Sequence, residues 1–290
     1  MSAAGHAVVS IPWTVALLAM ALPYLAGVVC LGRAAAASPW RLAGFLAGLL
    51  ALWAAVGSPL AQLDHQRLSA HMVQHLWVMN VAAPLLLLSA PLRTLDALAP
   101  GWLLALGEGR LRPALRLLSH PVLCWLAGTS VVLAFHLPAV FARTLASPAW
   151  HAAQHAGFLV AGLLFWWPVV QPWPAAPRWP RWTLVLYLFL ATLPCDALSA
   201  FLTFCGRVVY PHYLAAAPPT GASALADQQL AGALMWCVVT LAYLAPAVAI
   251  ALGLLLPAPH SAGRATSSGR GDVANSFAAT EPSSRLRSTE

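Results

Sequence analysis

"LSAHMVQHLWVMNVAAPLLLLSA", residues 68–90, contains no charged residue, and its only titratable side chains are His71 and His75. A helix needs roughly 20 mostly apolar residues to cross the hydrocarbon core of a bilayer, and this stretch supplies them. Its histidines are four apart, so on a helix they project from one face. Further along, "AWHAAQHAGFLV", residues 149–160, repeats the pattern His-x-x-Gln-His with His151 and His155, again leading into an apolar run. Two membrane helices that each open on a pair of imidazoles set both the fold class and the functional question.

The rest of the chain has the same character. Of 290 residues, 60% are hydrophobic and 8% charged, with a mean hydropathy of +0.75. Soluble domains carry about 25% charged residues. The expected fold is therefore an all-α bundle of seven transmembrane helices. The spans lie near 11–31, 40–61, 68–90, 120–141, 148–170, 182–205 and 227–256, in one domain over 1–256. No basic residue precedes the first span, which points to a retained helix rather than a cleaved signal peptide. Residues 91–119 have the pattern of an interfacial cytoplasmic loop, and 257–290 that of a disordered cytoplasmic tail. The 13 tryptophans suit two water–lipid boundaries.

All 15 basic residues are arginine. With seven spans, alternate loops place 12 on the side of the tail and Arg67, Arg143 and Arg207 on the other. Positive charge is retained in the cytoplasm, so the N-terminus is expected outside and the C-terminus inside. The net charge of +7 is then topology, and nucleic acid is not needed to explain it. Cys30, Cys124, Cys195, Cys205 and Cys237 have no paired spacing. They are expected to be buried free thiols, with participation of Cys195 and Cys205 in a site left open.

This orientation gathers His6, His65, His71, His75, His136, His151, His155 and His212 on the outer side and leaves His120 and His260 inside. Ionisable groups within a membrane normally face a bundle interior or cavity. Imidazole suits Cu, Zn, Fe and Ni, and the thioether of Met72 shifts preference toward Cu(I). The candidate metal ligands are His71, His75, His136, His151 and His155. Candidate supporting residues are Met72, Gln74, Gln154, Asp196, Asp227 and His212. Gln74 and Gln154 either orient imidazole rings or act as packing glue. Asp227 is read equally well as a helix N-cap. Asp64 is expected to pair with Arg67 in solvent, and His65 to be an interfacial tip. Asp196, roughly 14 Å from the outer end of its span at 1.5 Å per residue, has no such structural explanation and is read as functional.

The segments "SAHMVQHLWVMNVAAPLLLLSAP", "FHLPAVF", "HAAQHAGFLVAGLLFWWPVV", "VVYPHY" and "SALADQQLAGALMW" closely resemble the seven-span CtaG family of caa-type cytochrome c oxidase assembly factors, over roughly residues 10–256. The resemblance implies a bacterial cytoplasmic-membrane protein, not an enzyme, that acts on the outer face in haem–copper oxidase assembly. Its implied partners are oxidase subunits or other assembly factors within the lipid, and its implied cargo is copper. The matching motif residues are His71, Met72, His75, His136, His151, His155, Tyr210, Tyr213 and Asp227.

Other chemistry remains open on the residues alone. An intramembrane zinc hydrolase would use the same imidazoles with Asp196 or Asp227 as base. Against it, the Glu of His-Glu-x-x-His is replaced by Met72 and Ala152. A b-type haem protein would clamp iron between His75 and His155, and a pure scaffold would use the histidines only to pack. No phosphate loop, nucleophile elbow or dinucleotide fingerprint is present. The two His pairs lie on spans that run the same way, so an inverted-repeat transporter is not indicated.

Overall fold

The computed structural model describes residues 10–35, 39–102, 105, 119–171, 179–215 and 223–256. All regular structure among them is helical. We number the helices α1 (Ile11–Ala35), α2 (Pro39–Val56), α3 (Leu68–Leu88), α4 (Pro91–Asp96), α5 (Pro121–His136), α6 (Pro138–Ala146), α7 (Pro148–Val170), α8 (Arg181–Phe204), α9 (His212–Ala215) and α10 (Ala224–Leu255). Among the described residues six helices are long and apolar enough to cross a membrane, and α5 with α6 makes a seventh if the bent pair counts as one span. Leucines exposed all round, among them Leu18, Leu50, Leu186 and Leu241, suit a lipid solvent.

Prolines explain where the helices depart from the expected spans. The second span stops at Val56 rather than 61, because Gly57 and Pro59 turn the chain into a 3₁₀ stretch, Pro59–His65. The fourth span is not one helix over 120–141. Pro138 forces the preceding residue out of helical geometry, and Leu137 accordingly takes φ −64°, ψ 128°. The two pieces meet at 73°, which ends α5 at His136. In α3, the ring of Pro84 clashes with the carbonyl four residues back and cannot donate to it. A π turn over Val78–Ala82 widens the helix there. Ala83 N–H now bonds Val78 O, so the Met79 carbonyl is freed, and Trp166 Nε1 of α7 donates to it at 2.9 Å.

Helix α3 is the axis of the bundle. In its span window 61% of residues are buried, against 17% for α1 and α10. It packs on α2 and α7, and α7 in turn lies along α5. The segments expected at 103–104 and 106–118, and the tail at 257–290, lie outside the described residues. Of the expected cytoplasmic loop, Pro91–Asp96 is helical. None of the five cysteines forms a disulfide. Cys124 and Cys195 are buried as expected, but Cys30 and Cys237 face outward.

Candidate functional site

The start of α3, the end of α5, the start of α7, the chain after α8 and the start of α10 meet at one end of the bundle. The contacts that join them are few and specific. Asp227 of α10 accepts from Leu68 N–H at 2.7 Å and Ser69 N–H at 3.3 Å, and from the Ser69 hydroxyl at 2.5 Å. The N-cap residue of α3, Arg67, makes no side-chain cap bond. Asp227 therefore caps a different helix from its own, satisfying donors that a helix N-terminus leaves orphaned. Gln228 holds the loop after α8 through Val209 N–H at 2.7 Å and Arg207 O at 3.1 Å.

That loop supplies Tyr210, and the short α9 that follows supplies Tyr213. Tyr210 donates to His136 O at 2.9 Å, and Tyr213 donates to Asp64 O at 2.7 Å. Both are buried, and burial pushes both phenols up from their ordinary range. They act on backbone, not on imidazole. Tyr210→Phe and Tyr213→Phe are each expected to cost about 1 kcal/mol in detergent thermal unfolding, the net value of a typical hydrogen bond. A variant that melts with the wild type would show its hydroxyl to be idle.

The histidines divide into two sets. In the first, Met72 is fully buried with its Sδ 2.9 Å from His75 Nε2 and 3.5 Å from His136 Nε2. The His136 ring is oriented by Nδ1, which donates to Val132 O at 2.7 Å and so leaves Nε2 as the free acceptor. With ligand bonds of about 2.0 Å to nitrogen and 2.3 Å to sulfur, tetrahedral donors stand roughly 3.5 Å apart. The His136–Met72 pair meets that spacing, whereas the His75–Met72 pair, at 2.9 Å, lies inside it. Phe158 packs at 4.9 Å from the His75 ring and completes an apolar wall.

In the second set Asp64 is the hub. It is fully buried, with Oδ2 2.6 Å from His151 Nε2 and 3.9 Å from His71 Nδ1, while Oδ1 is 3.8 Å from His65 Nε2. Burial alone would raise the carboxyl, but the His151 and His71 imidazoles beside it hold it well below the usual carboxylate range. Gln154 Nε2 donates to His71 Nε2 at 3.3 Å, which puts the His71 proton on Nδ1, facing Asp64. His155 lies one turn below His151, with ring centroids 4.5 Å apart, and its Nδ1 bonds His151 O.

Placed against the sequence, His71 and His151 thus belong with Asp64, while His75 and His136 belong with Met72. Gln154 orients a ring, whereas Gln74 donates to Ala61 O at 2.8 Å and ties the 3₁₀ stretch to α3. His212 bonds the His65 carbonyl at 3.1 Å. Asp196 sits midway along α8 with Oδ1 buried and unpartnered, and among the described residues no contact joins it to an imidazole. Asp64 corrects the sequence reading outright: it is not a solvent partner of Arg67 but the most buried charge at this end. Its signal was its position, seven residues before His71 and just ahead of the same span.

Residues 22–255 match the family described as cytochrome c oxidase caa3 assembly factor (Caa3_CtaG). Uncharacterized proteins of Mycobacterium tuberculosis and Mycobacterium bovis are each 28% identical over 245 residues, covering 80% of this chain and 36% of theirs. One of Mycobacterium leprae is 28% identical over 234 residues, covering 76% of this chain and 35% of its own. The chain spans about a third of the length of these relatives. No solved structure matches.

Proposed function

We propose, from the premise that this chain belongs to the cytochrome c oxidase caa3 assembly factor family, that it holds Cu(I) on Met72, His75 and His136 and yields it to a haem–copper oxidase during assembly. The carrying observation is the convergence of two imidazole nitrogens on one thioether sulfur in a buried pocket. Soft thioether selects Cu(I) over harder ions, and imidazole accepts it. Three neutral ligands in a low-dielectric pocket leave a monovalent ion transferable.

The arginine distribution, 12 against 3, supports an outward-facing site in the bacterial cytoplasmic membrane. An oxidase subunit receives copper from that face, so the partner is an oxidase subunit or another assembly factor docked there. Nothing in this scheme requires catalysis.

The test is metal analysis of the full chain purified in detergent, together with oxidase copper in cells. One Cu(I) per chain is expected, and cells carrying His75→Ala in place of the wild type are expected to assemble copper-poor oxidase. A purified protein without stoichiometric copper, or oxidase copper unchanged by His75→Ala, overturns the reading. A Soret band would instead mark a haem protein.

A further inference from the structure

One buried carboxylate has no part in the thioether set. Asp64 Oδ1 is buried and lacks any hydrogen-bond partner, although its sister oxygen is engaged by His151. A buried charge is normally paired or bound to metal, since desolvating it otherwise costs several kcal/mol. What Oδ1 faces is His65 Nε2 at 3.8 Å. One donor atom from each of Asp64, His65 and His151 lies within 4.8 Å of the other two. His71 Nδ1, also buried and without a hydrogen-bond partner, stands 3.9 Å from the engaged oxygen.

We propose that Asp64, His65 and His151 form a second metal site, distinct from the thioether set and selective for a divalent ion of the Zn²⁺ or Cu²⁺ class. Two imidazoles and one carboxylate are the donor set such ions take, with a fourth position left for water. The set contains no sulfur, and its anionic oxygen disfavours Cu(I). An ion here supplies the partner that Oδ1 lacks. The side chain of His65 is 46% exposed and that of His151 21%, while the side chain of Asp64 is 0% exposed. The site is therefore open on its histidine side and closed beneath, so an ion arrives past His65. His71 then stands between the two sets, its ring centroid 5.9 Å from that of His75.

The inference extends the copper reading by giving the bundle a separate capture point, but its donors are its own. The test uses the full chain in detergent, stripped of metal and titrated with Co²⁺ as a coloured stand-in, then with Zn²⁺. One Co²⁺ per chain is expected, with the intense visible bands of four- or five-coordination, displaced by Zn²⁺. His65→Ala is expected to weaken divalent binding at least tenfold and Asp64→Asn to abolish it, both with Cu(I) stoichiometry unchanged. Met72→Leu is expected to do the reverse.

His65 is half-exposed and its removal leaves the core intact, so His65→Ala decides the matter even where Asp64→Asn fails to fold. Absence of Co²⁺ and Zn²⁺ binding, or indifference to His65→Ala, overturns the proposal. Loss of divalent binding in Met72→Leu also overturns it by showing a single shared site. Loss of Cu(I) binding by the wild type with Co²⁺ binding intact would remove the copper reading and leave this site standing.

Discussion

Met72→Leu is expected to weaken Cu(I) binding at least tenfold while shifting stability by less than about 1.5 kcal/mol, the usual ceiling for a volume-conserving Met-to-Leu exchange in a core. Met72 is fully buried, so truncation to alanine would confound ligand loss with a cavity. Leucine fills the space and removes only the sulfur. Even outer partners of metal ligands cost roughly 10–100-fold in affinity when removed, and a direct ligand should cost no less. The measurement is competition against a chromogenic Cu(I) chelator, paired with thermal unfolding. Met235→Leu is the control, since Met235 on α10 is as deeply buried. Equal affinity in the two variants would show that the Met72 sulfur is packing and not a donor.

Gly232→Leu is expected to lower the amount of folded protein in the membrane several-fold. A Cβ at Gly232 would stand 2.5 Å from Thr203 Oγ1, 2.8 Å from Thr203 N and 2.9 Å from Ser199 O. Two of those atoms are backbone of α8 and cannot swing aside. Overpacking that side chains can absorb costs about 1–3 kcal/mol, and here the helices themselves must part. Helix α10 carries Asp227 and Gln228 little more than a turn away, so its displacement also releases the start of α3 and the loop before α9. Loss of 1–2 kcal/mol is already enough to change cellular abundance several-fold. Gly253→Leu, in open space, should leave abundance unchanged. Membrane immunoblots of the two variants decide it, and equal levels would mean that α8 and α10 tolerate separation.

The apolar runs and the i, i+4 histidines could be read from the chain alone because both depend on local periodicity. Of these histidines, His71 and His151 flank Asp64, His75 stands beside Met72 and His136, and His155 bonds the His151 carbonyl. Their division into two sets was not legible, because it depends on which helix faces each ring. His71 and His75 share a face of α3, yet one looks toward Asp64 and the other toward His136. The break after His136 was within reach, since Pro138 restricts its predecessor, but a run of apolar residues masks a bend. Asp64 and Asp227 escaped for a common reason. Their partners lie 87 and 159 positions away, and no local pattern encodes such a contact. Asp196, which looked least innocent in the sequence, lies apart from both sets.

The tyrosine segment that runs from the loop after α8 into α9 has a mechanical consequence. Tyr210 fastens the backbone at His136 and Tyr213 the backbone at Asp64, so a single short strap is tied to both donor sets. The strap is itself anchored by one amide side chain, Gln228. Displacing this strap would therefore free the backbone at His136 and at Asp64 together, although the two lie 72 positions apart in the chain.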